Sequence, residues 1–236
     1  MSSSTSSSLA TQLSGLFDAE RTARRLHGDL ARAGAQGQGD ALVTALRAEA
    51  DKAFALKEQE ELALRLVRIA ALLGDLHGAQ AVDLLVDILA CDEPEARHAA
   101  GEALESLAYD RFKEVALGVE RAITRLPVGS PALSELPYML AEIPEPGVIK
   151  LLGKFLGHAD GEAVAAAIEA LVELGDPSAA SLLTPLEKDT RLVQLEDEEG
   201  EEGRVSLGEL ASEARQLLRE IESTQNDGPR GKKGER

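Results

Sequence analysis

Gly74–Leu107 reads GDLHGAQAVDLLVDILACDEPEARHAAGEALESL, and its punctuation decides the fold. Gly74 and Asp75 stop one helix and begin a connection. Ala79–Cys91 has the apolar spacing of a second helix, which we take as the outer member of a pair. Asp92-Glu93-Pro94 interrupts it, with Pro94 where a helix starts and a missing N–H costs nothing. Glu95–Ala108 is then the inner member of the pair.

The same design recurs on both sides. Apolar-x-x-apolar anchors stand at Ala70/Leu73, Leu104/Leu107, Leu140/Ile143 and Leu171/Leu174, with second members 34, 36 and 31 residues apart. A period of roughly 20–50 residues is the mark of a repeat array. Downstream, Asp110–Leu126 is the next outer helix, ended by Pro127, and Ser130-Pro131 restarts the chain. Pro137 falls inside the following inner helix, which should be short or kinked. Pro146–Leu156 and Gly161–Leu174 form another pair. Gly175-Asp176-Pro177 then supplies a helix stop, an N-cap and a first helical turn. A helix near Ser178–Lys188 follows. Alternation in Arg191–Leu195 and Arg204–Leu207 predicts a β-hairpin around Glu196–Gly203, which holds six acids in eight residues. Ser206 and Glu209 have capping-box spacing before a last helix that runs to about Ile221.

Upstream, residues 1–8 form a Ser-rich tail expected to be disordered. Residues 9–73 are expected to be a helical N-terminal cap region. Leu9, Leu13, Leu16, Leu26 and Leu30 fit one helix, broken at Gly34, Gly37 and Gly39. Asp40–Leu73 holds neither Pro nor Gly and is compatible with one long helix or with two that kink near Lys57. Residues 74–222 are the array proper. Residues 223–236 are a polar tail with Arg230, Lys232, Lys233 and Arg236 near its end, again expected to be disordered.

Composition agrees with thin helical layers. Of 236 residues only Phe17, Phe54, Tyr109, Phe112, Tyr138 and Phe155 are aromatic, and there is no Trp, so Leu, Ala, Val and Ile must do the packing. A formal charge of −17 repels phosphate backbones and anionic lipid, so no nucleic acid and no membrane are expected as partners. It favours a basic patch on whatever does bind. Cys91 stands alone, which removes intrachain disulfides and Cys-based metal clusters. The start lacks the basic-then-apolar order of a signal peptide, and no apolar run reaches membrane length. The chain reads as cytoplasmic.

Gly74–Leu107, again Pro146–Leu186, and in degenerate form Tyr109–Ile143, resemble HEAT repeats, specifically the phycobilisome-lyase HEAT-like type. The likeness covers residues 70–222 well and 9–69 loosely. It implies an all-α fold, an α-solenoid of helical pairs with one β-hairpin inserted in the last repeat. The family's Arg early in the inner helix is matched by Arg97, whereas Ala163 stands near that place in the later copy. We read the chain as a non-enzymatic, protein-binding scaffold or adaptor that uses its concave face. Two alternatives share the repeat. A bilin lyase-like enzyme or chaperone finds no evident pigment pocket around lone Cys91 and so few aromatics. A HEAT-like DNA glycosylase would need a basic groove with aromatics, opposed by the acidic charge.

Nothing in the sequence points to chemistry. His27, His77, His98 and His158 lack metal-ligand spacing, and no catalytic signature or cofactor motif appears. Two binding candidates remain. The inner helices carry Arg65, Arg68, Arg97, His98, Glu102, Glu105, Glu169 and Glu173, so charge should run from basic to acidic along a groove. Arg97 has a structural alternative, bracing a loop through Asp92 or Asp110. The second candidate is the acidic loop Glu196, Asp197, Glu198, Glu199, Glu201 and Glu202, for a basic partner or simply for water. Its order does not match a calcium-binding EF-hand loop.

Overall fold

A computed structural model describes residues 2–196 and 202–226. Its helices are α1 (Ser2–Ala33), α2 (Gly39–Phe54), α3 (Gln59–Gly74), α4 (Ala79–Leu89), α5 (Pro94–Arg125), α6 (Pro131–Ala141), α7 (Gly147–Phe155), α8 (Gly161–Leu174), α9 (Ala180–Leu183) and α10 (Leu207–Asn226). Strands β1 (Leu192–Glu196) and β2 (Glu202–Ser206) pair antiparallel, with Val193 opposite Val205. Among the described residues the protein is all-α apart from this hairpin.

The helix boundaries follow the residues that forbid or favour them. Gln36 and Gly37 leave helical torsions, Gly37 at φ +96°, and this kink separates α1 from α2. The stretch 40–73 is two helices, with the chain breaking after Phe54 and restarting at Gln59. Pro94 and Pro131 each occupy a first turn. Gly175 closes α8 in the left-handed region, φ +63°, where a side chain would be strained. Asp176 accepts from the Ser178 N–H at 2.8 Å as the next N-cap. The capping box before α10 is complete. Glu209 N–H donates to Ser206 Oγ at 3.2 Å, and Glu209 Oε2 accepts from Ser206 N–H at 3.0 Å.

Three expectations need amendment. Residues 2–8, expected as an unordered tail, continue α1 as helix. α10 likewise carries helix through Asn226, into the stretch expected to be a tail, and residues 227–236 lie outside the description. The helix expected near Ser178–Lys188 is three short pieces, 3₁₀ at Pro177–Ala179, α9, and 3₁₀ at Thr184–Leu186. Pro185 explains this, since it has no N–H for the ladder and crowds the preceding turn. The pair of helices expected on either side of Tyr109 is present as the two arms of α5, which meet at a kink where Arg111 leaves helical torsions (φ −141°, ψ 47°). Pro137 shortens α6 to 11 residues without interrupting it.

Helix contacts form two successions. In one, α3 packs on α5, α5 on α6, α6 on α8, and α8 on α10. In the other, α2 touches α4, α4 packs on both halves of α5, at Gly101 and at Gly118, and α5 touches α7. The apolar faces of both meet in one continuous core. All four anchor pairs point into it, with Ala70, Leu73, Leu104, Leu140, Ile143 and Leu171 no more than 1 % exposed. Leu107 is also buried and Leu174 partly so. Small residues keep the layers close: Ala163, Val164 and Ala167 of α8 are fully buried. Phe155 is the one aromatic among the largest fully buried side chains.

The second succession is laced by ions between helices. Arg121 Nε lies 2.9 Å from Asp83, Arg47 reaches Asp87 at 2.5 Å, Arg125 pairs with the same Asp87, and Lys154 lies 2.5 Å from Glu120. These are half-exposed pairs, each worth little alone. Their role is alignment. The hairpin is anchored at its base. Val193 is 2 % exposed against α8, whereas Leu192 beside it is open to solvent. Arg191 donates to the carbonyls of His158 and Ala159 at 2.8 and 3.1 Å.

Two substitutions test this packing. Leu104→Ala should cost about 2–5 kcal/mol in urea melts; a loss under about 1 kcal/mol would show that α5 is in a different register. Gly118 lies so close to α4 that an added Cβ would sit 2.3 Å from Val82 Cγ1. Gly118→Ala should therefore cost about 1–3 kcal/mol, and adding Val82→Ala should restore part of the loss. Simple additivity of the two would refute the close approach.

Candidate interaction face

The eight candidate groove residues all lie on α3, α5 and α8, which belong to the same succession of helices. Their charges are not free in the way the sequence suggests. Arg65 binds Glu61 of its own helix at 2.6 Å and lies 3.9 Å from Glu49 of α2. Arg68 lies 3.7 Å from Glu20 of α1. The expected basic end of the groove is thus largely neutralised. Arg97 bridges neither Asp92 nor Asp110; its Nε lies 3.0 Å from Glu135 of α6. His98 and Glu102 form an open pair at 3.5 Å within α5, and Glu105 is half-buried nearby.

Glu169 accepts a hydrogen bond from the Tyr138 hydroxyl across α6 and α8. Burial, then that hydrogen bond, then the charges of Glu169, Glu162 and Glu173 push the Tyr138 phenol well above its ordinary pKa. Three carboxylates of α8 thus bear on this one phenol. Burial also pushes the Glu135 carboxyl up, partly offset by the Arg97 charge.

Beyond Glu169 and Glu173 the structure adds residues that the sequence reading did not single out. Leu210, Glu213 and Leu217 of α10 face Ile168 and Val172 of α8 across a groove of ≈ 310 Å³. The spacing i, i+3, i+7 on α10 was a visible signal for one face. What the sequence lacked was the identity of the helix opposite.

Of the acidic loop, Asp197, Glu198, Glu199 and Glu201 lie outside the described residues. Glu196 and Glu202 end the two strands, opposite each other in register. Among the described residues no group of three His, Cys, Asp or Glu side chains could hold a metal ion. Cys91 is half-buried, its Sγ donating to the Glu93 carbonyl at 3.7 Å, and burial raises its thiol pKa. His27 pairs with Asp75, and His77 accepts from Arg111. No helix of the described residues is long and apolar enough to cross a membrane.

The chain matches no protein-family model and no curated protein. Crystal structures of two engineered proteins are similar to it. One is 21% identical, covering 82% of this chain and 88% of its own at a TM-score of 0.31. The other is 20% identical, covering 85% and 93% at a TM-score of 0.35. Likeness at that level assigns neither a fold family nor a function.

The carboxylates of this face and of the α10 cap should titrate in opposite directions. Glu135 should have a midpoint above the ordinary glutamate value of 4.5, and Glu209, held by Ser206, one below it. The signs for stability follow. The folded chain holds the Glu135 proton more tightly than the unfolded chain, so this group's contribution falls as pH rises through its window. The Glu209 contribution is present above 4.5 and lost as pH falls below it. Carboxyl-carbon NMR titration checks both. Arg97→Ala should move Glu135 further up and Ser206→Ala should return Glu209 toward 4.5. A Glu135 midpoint at or below 4.5 would contradict its burial beside α5.

Proposed function

We propose that this chain is a non-enzymatic cytoplasmic scaffold, a HEAT-like α-solenoid that holds another protein on the concave side lined by α3, the first half of α5, α6, α8 and α10. One observation carries the reading. Four helices of that succession expose a large side chain with apolar surface: Leu64 (57%), Tyr109 (53%), Tyr138 (43%) and Leu217 (48%). Tyrosines and leucines left open along one row of helices, between charged side chains, are the raw material of an interface core with a polar rim. Both tyrosines are also fixed in place, Tyr109 donating to the Glu142 carbonyl at 3.0 Å and Tyr138 to Glu169. An aromatic held in position loses little freedom on binding. The candidate residues Arg65, Arg68, Arg97, His98, Glu102, Glu105, Glu169 and Glu173 then form the charged surround.

The test starts from affinity capture in the native cell, with captured proteins identified by mass spectrometry. Two face variants, Arg65→Glu/Arg68→Glu and Glu169→Lys/Glu173→Lys, are compared with Lys113→Glu/Lys150→Glu on the other succession. Each face variant should weaken a genuine partner more than the control does. Because rim charges act mainly through on-rate, the difference should shrink as salt rises. Equal retention by all three variants would sink the concave-face reading.

A further inference from the structure

We propose that the groove between α8 and α10 is the docking site for a basic amphipathic helix of the partner, seated by apolar side chains and framed by lysines or arginines. The inference rests on the scaffold reading above and narrows it to one site and one kind of ligand.

The floor of the groove is apolar. Ile168 and Val172 of α8 lie opposite Leu210 and Leu217 of α10. Ile168 is fully buried, Val172 and Leu210 are partly buried, and Leu217 stands almost half exposed with its apolar surface toward solvent. The distance along α10 from Leu210 to Leu217 is two helical turns, about 10 Å. That span accepts two successive anchors of a partner helix, at i and i+3 or i+4, the geometry of helix-in-groove recognition.

The rim decides the sign of the partner. Glu169 and Glu173 on α8 and Glu213 on α10 border the same groove. Among the described residues none of these three carboxylates is in an ion pair, whereas the arginines at the other end of the face are paired. The Tyr138 hydroxyl of α6 donates to Glu169 and so holds that carboxylate in place on the rim. An apolar floor with three acids around it repels an acidic or phosphorylated helix and accepts one whose apolar stripe is flanked by cations.

The absence of Trp from this chain gives a clean probe. A 16-residue helical peptide would carry Leu at i, i+4 and i+7, flanking Lys and Arg, and a single Trp as reporter. It would be titrated into the full chain, with Trp fluorescence and methyl NMR as readouts. Saturable binding should shift the methyls of Ile168, Val172, Leu210 and Leu217. Leu217→Glu, at an exposed position that leaves the melting temperature within a few degrees, should weaken binding about tenfold. Glu173→Lys/Glu213→Lys should weaken it and reduce its salt dependence. The same peptide with Glu in place of Lys and Arg should not bind.

Methyl shifts absent from α8 and α10, an unchanged affinity in Leu217→Glu, or equal binding of the acidic peptide would each overturn the proposal. So would concentration-dependent shifts of these same methyls in the protein alone, which would make the groove an interface between copies of the chain. The wider reading fails separately. If captured partners respond to Arg65→Glu/Arg68→Glu while Leu217→Glu leaves them bound, the face stands and the α8–α10 groove is not its anchor.

Discussion

Asp160 takes a carboxylate almost out of water, at 5 % exposure, and the alignment of neighbouring helices depends on how that charge is satisfied. One oxygen accepts from the Glu162 and Ala163 N–H groups at the start of α8, at 3.0 and 3.4 Å. The other accepts from the Gly129 N–H at 2.7 Å, in the turn before α6. A buried carboxylate left without these donors would be expensive, so the two turns cannot drift apart without exposing it. Similar bonds join other connections. Glu114 accepts from Gly78 N–H at 2.6 Å, Arg111 donates to the Leu76 carbonyl at 2.9 Å, and Arg191 holds His158 and Ala159. Each links chain segments about one helical pair apart. The apolar core supplies most of the stabilisation, but it is slippery, because Ala and Leu surfaces tolerate small slides. Polar bonds between successive turns fix the offset.

Helix starts, stops and the hairpin were readable because their causes are local. Pro94, Pro131, Gly175 and the Ser206–Glu209 box act on their own backbone, so sequence adjacency contains the whole interaction. The buried anchors were readable because a period near 34 residues repeats the same local problem. The joint within α5 was placed by the same period, between Ala108 and Asp110, next to Arg111 where helical torsions depart. What no period announces is the nonlocal contact that holds it. Its Arg111 guanidinium reaches the Leu76 carbonyl and His77, and both lie one pair upstream.

The candidate face was half legible for the same reason. Sequence spacing placed Arg65, Arg68, Arg97, Glu169 and Glu173 on suitable helices, but charge partners come from elsewhere in the chain. Glu20, Glu49 and Glu135 cancel the arginines, and no period relates them to their partners. The net charge of −17 is consequently not spread evenly over function. Much of the basic complement is spent in lacing helix to helix, as in Arg47, Arg121 and Arg125 with Asp83 and Asp87. Three acids outside those ion pairs, Glu169, Glu173 and Glu213, are left where α8 meets α10.

The joint at Arg111 also bears on how the molecule deforms. Elsewhere successive helices are connected by turns, such as those at Gly129 and Asp160, which the buried Asp160 carboxylate ties to each other. Through α5 there is no such turn, only Arg111 with its non-helical torsions between two helical arms. The Arg111 side chain is held from the side by the Leu76 carbonyl. A rotation of one arm against the other must therefore pass through that single residue and disturb a contact made one helical pair upstream. The middle of the protein has a hinge with its own latch.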